Sequence, residues 1–66
     1  MDGRERALVV QEAAKAKGLD RAELAQRTGV AHGTITRVWN GKADNITTAT
    51  VTALARVLGI QKGDLV

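Results

Sequence analysis

The chain has 66 residues, enough for one domain spanning 1–66 and not for two. It contains no cysteine and one histidine, which leaves no disulfide and no thiolate or structural zinc site, so its core must come from packed side chains alone. The formal net charge of +3 is a mild lean toward polyanionic partners and singles none out.

There is no proline and no sustained alternation of strand formers. Gly18, Gly29, Gly41, Gly59 and Gly63 instead divide the sequence into segments of helical length, which predicts an all-α fold. The first helix is expected over about 4–17, with Ala7, Val10, Ala13 and Ala14 inward and Leu8 flanking them. Lys15 and Lys17 suit its last turn, where the helix dipole favours cations, and Gly18 suits its stop. The stretch before it, Met1-Asp2-Gly3-Arg4-Glu5-Arg6, is polar, and the run that follows is too short and mixed for a secretory signal. Nothing approaches the ~20 apolar residues of a membrane span. The expectation is a soluble, cytoplasmic protein with no membrane partner.

The second helix is expected over about 20–28. Asp20 is a good N-cap, Glu23 three residues on completes a capping box, and Leu19 can staple onto Leu24. Leu24, Ala25 and Thr28 face inward, and Gly29 ends the helix. The third is expected over about 32–40, with Ile35 and Val38 inward and Gly41 as its stop. The fourth, over about 48–58, has the strongest periodicity: Val51, Leu54, Ala55 and Leu58 fall at i, i+3, i+4 and i+7. Thr47 is its candidate cap, Ile46 its staple and Gly59 its stop. Residues 61–66 can add a short turn with Leu65 inward.

Function enters at the second and third helices. Leu24-Ala25, Gly29, Ile35 and Val38 describe two short helices joined by a tight turn. Ala25 is small where the helices cross, Gly29 supplies a left-handed backbone, and Val30 plugs the turn into the core. In such a pair the first helix lies along the phosphate backbone and the second enters the major groove. Charge agrees: from Asp20 to Lys42 the balance is net positive, with Arg21, Arg27, Arg37 and Lys42 against Asp20 and Glu23, whereas residues 43–66 balance to zero.

These residues resemble a known family. Gly18-Leu19-Asp20-Arg21-Ala22-Glu23-Leu24-Ala25-Gln26-Arg27-Thr28-Gly29-Val30 looks like the second helix of lambda-repressor-like (Xre/Cro) domains. Thr34-Ile35-Thr36-Arg37-Val38-Trp39-Asn40-Gly41-Lys42 looks like the recognition helix with its Asn-Gly stop, and Leu54-Ala55-Arg56-Val57-Leu58-Gly59-Ile60 like the end of the fourth helix. The likeness covers nearly the whole chain and implies a compact four- to five-helix domain with the helix-turn-helix at helices 2 and 3.

By position, the resemblance implies that His32, Gly33, Thr36 and Arg37 face base edges. Arg37 is the strongest candidate, because a guanidinium can bond guanine O6 and N7 together. Arg21, Thr34, Asn40, Lys42, Asn45, Thr47 and Thr48 are the expected phosphate contacts, aided by backbone N–H groups at helix starts. Against each stands a plainer reading: Arg37 a solvated charge, His32 an ordinary surface histidine, Gly33 a tolerated glycine that costs about 1 kcal/mol in a helix.

Two departures from the family pattern stand out. Ala31 replaces the usual Ser or Thr cap of the recognition helix. Ala14 and Trp39 replace an Arg–Glu ion pair, so Trp39 is expected to pack over Ala14, a dimer or DNA contact being the other readings.

The resulting expectation is a sequence-specific regulator, a repressor by occlusion, bound to double-stranded DNA as a homodimer on a pseudo-palindromic operator. Pairing would use the region from helix 4 to the C-terminus or a segment outside it, with Leu65 and Val66 as a small patch. The alternative is an antitoxin or bridging protein-interaction module of the same fold. No Ser/Cys–His–acid set, metal cluster or phosphate-cradling loop points to an enzyme, a cofactor, a metal or a small-molecule ligand.

Overall fold

Four α-helices and a closing 3-10 turn make up the computed structural model, which describes residues 2–66: α1 (Gly3–Ala16), α2 (Arg21–Thr28), α3 (His32–Trp39), α4 (Thr48–Leu58) and the turn Lys62–Asp64. No strand occurs among the described residues. Against the spacing-based expectation, α1 starts and ends one residue early, α2 starts one residue late because Asp20 is its cap, and α3 stops one residue short.

Local chemistry sets the helix starts. The Asp2 carboxylate accepts the Glu5 N–H at 2.9 Å and opens α1. That bond holds the Asp2 carboxyl below the usual carboxylate range. Its pKa being lowered, the cap is intact above that range and is lost as pH falls through the lowered value. At α2, Asp20 accepts from the Glu23 N–H at 2.8 Å, and the Glu23 side chain accepts from the Asp20 N–H at 3.4 Å. At α4, Thr47 Oγ1 accepts from the Thr50 N–H at 3.2 Å.

Helix α3 has no such cap: Ala31 sits at φ −55°, ψ 138° with no side-chain bond to the helix. Ala31→Ser is therefore expected to stabilise the domain by about 1 kcal/mol, a rise of roughly 4–8 °C in Tm that a thermal melt would read.

The turn between α2 and α3 is stitched by Thr28 and Gly29. Gly29 takes φ 72°, a left-handed backbone, with its N–H on the Ala25 carbonyl. Thr28 Oγ1 donates to the Leu24 carbonyl at 2.7 Å and accepts from the Val30 N–H at 3.2 Å. The chain thus turns from α2 into α3 with the Gly29 and Val30 N–H groups both bonded. Val30 is half-buried and packs against the core.

Val10 and Ala14 of α1, Leu24 and Ala25 of α2, Ile35 and Val38 of α3, and Val51, Leu54, Ala55 and Leu58 of α4 form one continuous core. Two expectations need correction. Leu8 stands on the outer side of α1, 61% exposed, because the buried stripe of that helix runs through Arg6, Ala7, Val10 and Ala14. Leu65 is not part of a surface patch: it is wholly buried in the core. The Lys62–Asp64 turn folds the tail back, with the Gln61 N–H on the Asp64 carboxylate at 3.1 Å and the Leu65 N–H on the Lys62 carbonyl at 3.0 Å. Val66 alone of that pair stays exposed.

The start of α1 is clamped to the α3–α4 loop. A Cβ on Gly3 would lie 2.9 Å from the Gly41 carbonyl oxygen and 3.2 Å from that of Ala43, so only glycine allows this approach. Gly41 itself takes φ 75°. One turn into α1, Arg6 is 4% exposed; its Nε donates to the Leu65 carbonyl at 2.8 Å and its Nη1 to the Ala43 carbonyl. No buried side-chain nitrogen or oxygen among the described residues lacks a partner, so this charge is buried with its hydrogen bonds made.

Candidate nucleic-acid interface

Helix α3 is a short rod held by one side. Ile35 and Val38, each 1% exposed, lock that side into the core against α1 and α2. Gly33, Thr36, Arg37 and Asn40 then fall at i, i+3, i+4 and i+7 on another side. Gly33, Arg37 and Asn40 are exposed and Thr36 is partly so. His32 and Thr34 are exposed in the first turn. The two residues that anchor the helix thus also fix the direction of the polar stripe, since a helix has one rotation about its axis once two adjacent turns are packed.

Gly33 has no structural duty that explains it. Its φ is not positive, and a Cβ placed there would meet nothing within 4 Å. The position is open space above the helix start.

Beside the stripe lies a cleft of about 200 Å³ between α3 and the start of α4. Thr34, Arg37, Asn45 and Thr47 supply its polar lining, and Val38, Ala43, Ile46 and Thr50 its floor. No carboxylate lines it, which suits an anion beside Arg37. Four of the sequence-expected contacts, Thr34, Arg37, Asn45 and Thr47, are therefore brought together. Thr47 is already occupied in part: its hydroxyl donates to Thr50 Oγ1 at 2.9 Å while capping α4.

The remaining expected residues stand apart from the cleft. Lys42 is exposed in the α3–α4 loop, Thr48 is exposed as the first residue of α4, and Arg21 is exposed as the first residue of α2. Arg21 and Thr48 each open a helix, where unpaired backbone N–H groups point outward. Among the described residues no group of His, Cys, Asp or Glu is placed to hold a metal ion, and no helix is long and apolar enough to cross a membrane.

Trp39 is half-buried against the core. It rims an open hollow of about 410 Å³ shared with Arg4, Ala7, Leu8 and Gln11 of α1 and with Asn40 and Gly41. Gln11 Nε2 donates to the Trp39 carbonyl at 2.7 Å, which ties the end of α3 to the middle of α1. Ala14 of α1 is fully buried in the core. The exposed side of Trp39 looks along the first half of α1, a direction that the Ala14–Trp39 size match in the sequence does not specify.

The sequence reading missed Asp2, Gly3, Arg6 and Ala43. Only Asp2 carried a local signal, an acidic residue three before a helical Glu5 N–H. The others are defined by contacts far along the chain.

A capped helix, a left-handed glycine turn and a second helix whose polar stripe faces solvent define a helix-turn-helix. The family profile described as Cro/C1-type HTH DNA-binding domain matches residues 10–66. The chain belongs to that family and is a DNA-binding domain. No curated protein and no solved structure gives a significant match.

Proposed function

We propose that the chain is a sequence-specific transcriptional regulator that reads the major groove with α3 and represses by occluding its site. The observation that carries this reading is the stripe Gly33, Thr36, Arg37 and Asn40, turned outward by the buried Ile35 and Val38 and bordered by a cleft without carboxylates. Arg37, Thr36 and His32 reach base edges. Arg21, Thr34, Asn40, Lys42, Asn45 and Thr48 hold phosphates, and Thr47 joins them once its hydroxyl proton turns away from Thr50. The domain works on double-stranded DNA in the cytoplasm, at the nucleoid.

One copy offers about four to six phosphate contacts, too few for tight binding at physiological salt. Two copies on a pseudo-palindrome, with half-site centres about one helical turn apart, make up the difference. Leu65 being buried, the apolar surface left for pairing near α4 includes the exposed Ala49 and Val66 and the half-buried Ala53, Val57 and Ile60.

Selection of bound duplexes from a randomised pool tests the reading. A single enriched site with two inverted half-sites, and binding that weakens steeply with salt, is the expected outcome. A pool that returns no consensus sinks sequence-specific regulation, and a consensus without inverted symmetry sinks the paired arrangement.

Gly33 allows a sharper check. With open space around it, Gly33→Ala should add about 1 kcal/mol of stability from helix propensity alone, while weakening binding to the selected site because the new methyl meets the DNA. A melting curve and a titration on the same sample read both signs. Equal affinity in the two proteins would remove Gly33 from the contact surface.

A further inference from the structure

Arg6 lies ahead of residues 10–66, the segment that matches the family profile, and is almost fully buried, so it touches no ligand. It nonetheless holds the loop that carries Lys42 and Asn45. Gly41 and Lys42 still bond back to α3, through the Val38 and Arg37 carbonyls, and Thr47 begins the cap of α4. Between Lys42 and Thr47, no hydrogen bond among the described residues reaches the loop except the one from Arg6 Nη1 to the Ala43 carbonyl. Ala43 itself lines the cleft, one residue from Lys42 and two from Asn45. The Nε of the same guanidinium is on the Leu65 carbonyl.

We propose that Arg6 is a positioning residue for DNA binding: its guanidinium pins the α3–α4 loop and the C-terminal turn at a fixed separation and so presents the phosphate-binding face of the loop in one geometry. The inference rests on the reading that this loop contacts phosphates. The chemistry favours arginine for the task. Its N–H donors diverge from a rigid plane, so two carbonyls bonded to it cannot shift independently. A lysine ammonium in the same place keeps the charge but lacks the planar fork, and serves one of the two carbonyls well. Ordering the loop before DNA arrives also lowers the entropy lost on binding.

The test compares Arg6→Lys and Arg6→Met with the wild-type chain, at a temperature where circular dichroism shows each folded. Binding is titrated on random-sequence and on selected duplexes over a range of salt. Arg6→Met is expected to bind both duplexes about tenfold more weakly, with a salt slope reduced by about one to two contacts. The ratio between the duplexes should hold, because Arg37 is untouched, and Arg6→Lys should fall between the other two proteins.

Amide exchange is followed in the same proteins without DNA. Exchange at the bonded amides that flank the clamp, Lys42 in the loop and Leu65 in the C-terminal turn, should quicken in both variants, while the amides of α2 keep wild-type protection. Folded variants with wild-type affinity and salt slope overturn the proposal, as does unchanged exchange in the loop. If Arg6→Met does not fold, Arg6→Lys and its exchange pattern decide the matter. If the wild-type chain binds no DNA, the functional reading fails by itself, and a DNA-positioning role for Arg6 falls with it. Quickened exchange would then show only that Arg6 orders the loop.

Discussion

Arg37→Ala is expected to lower affinity for the selected duplex by about 5- to 150-fold, the 1–3 kcal/mol of one good bidentate base contact. The loss should be confined to one base pair of the site. Affinity for random DNA should change far less, since what disappears is chiefly discrimination. Arg37 is suited to this because it projects from the last turn of a helix whose other side is immobilised, so its guanidinium would meet a groove without a loop having to order first. Arg21→Ala gives the contrasting pattern: weaker binding to every duplex alike and a salt slope smaller by about one. Titrations of the two variants on a panel of single-base changes separate the roles. If Arg37→Ala leaves the base preference intact, α3 is not the reading element.

Leu54→Ala carries the largest expected effect on stability. Leu54 is fully buried in α4, the helix that packs against both α1 and α2. Removing its side chain should cost about 2–5 kcal/mol, from lost burial and the cavity left behind. A domain of this length has roughly 3–10 kcal/mol in total, so the variant should sit near its unfolding midpoint at ambient temperature. Urea denaturation measures the loss. Adding the selected duplex should move the midpoint back up, because DNA binds only the folded chain. A loss below about 1 kcal/mol would mean that α4 is not seated in the core as described.

Helix placement was legible because its signals are local. Asp20 with Glu23, Thr47 before an apolar run, and Gly29 after Thr28 each act within a few residues, and the structure uses each in the way its chemistry suggests. The inward pair Ile35 and Val38 was legible from spacing, and with it the outward stripe. Arg6 was not. Its acceptors are backbone carbonyls 37 and 59 residues away, and a carbonyl has no residue type to betray it. An arginine in a polar N-terminal stretch reads as a surface charge until the chain has folded around it. Gly3 is the same case: the close approach it permits is to Gly41 and Ala43, and nothing beside it in sequence announces that approach. Leu65 was legible in half. Its hydrophobicity marked it for burial but did not say in what, and the turn at Lys62–Asp64 answers with the core of its own chain.

The meeting of Gly3, Ala43 and Leu65 bears on how this molecule can be re-engineered. Gly3 abuts the Ala43 carbonyl, and Arg6 bridges that carbonyl to the one on Leu65. Residues from the two extremes of the described chain therefore lie side by side, and a short glycine–serine tether could join them without crossing the fold. A circularly permuted chain opened at the exposed Gly18 connection, between α1 and α2, should keep all four helices. It would move both new ends away from the loop at Ala43 and leave that junction free of any fused reporter.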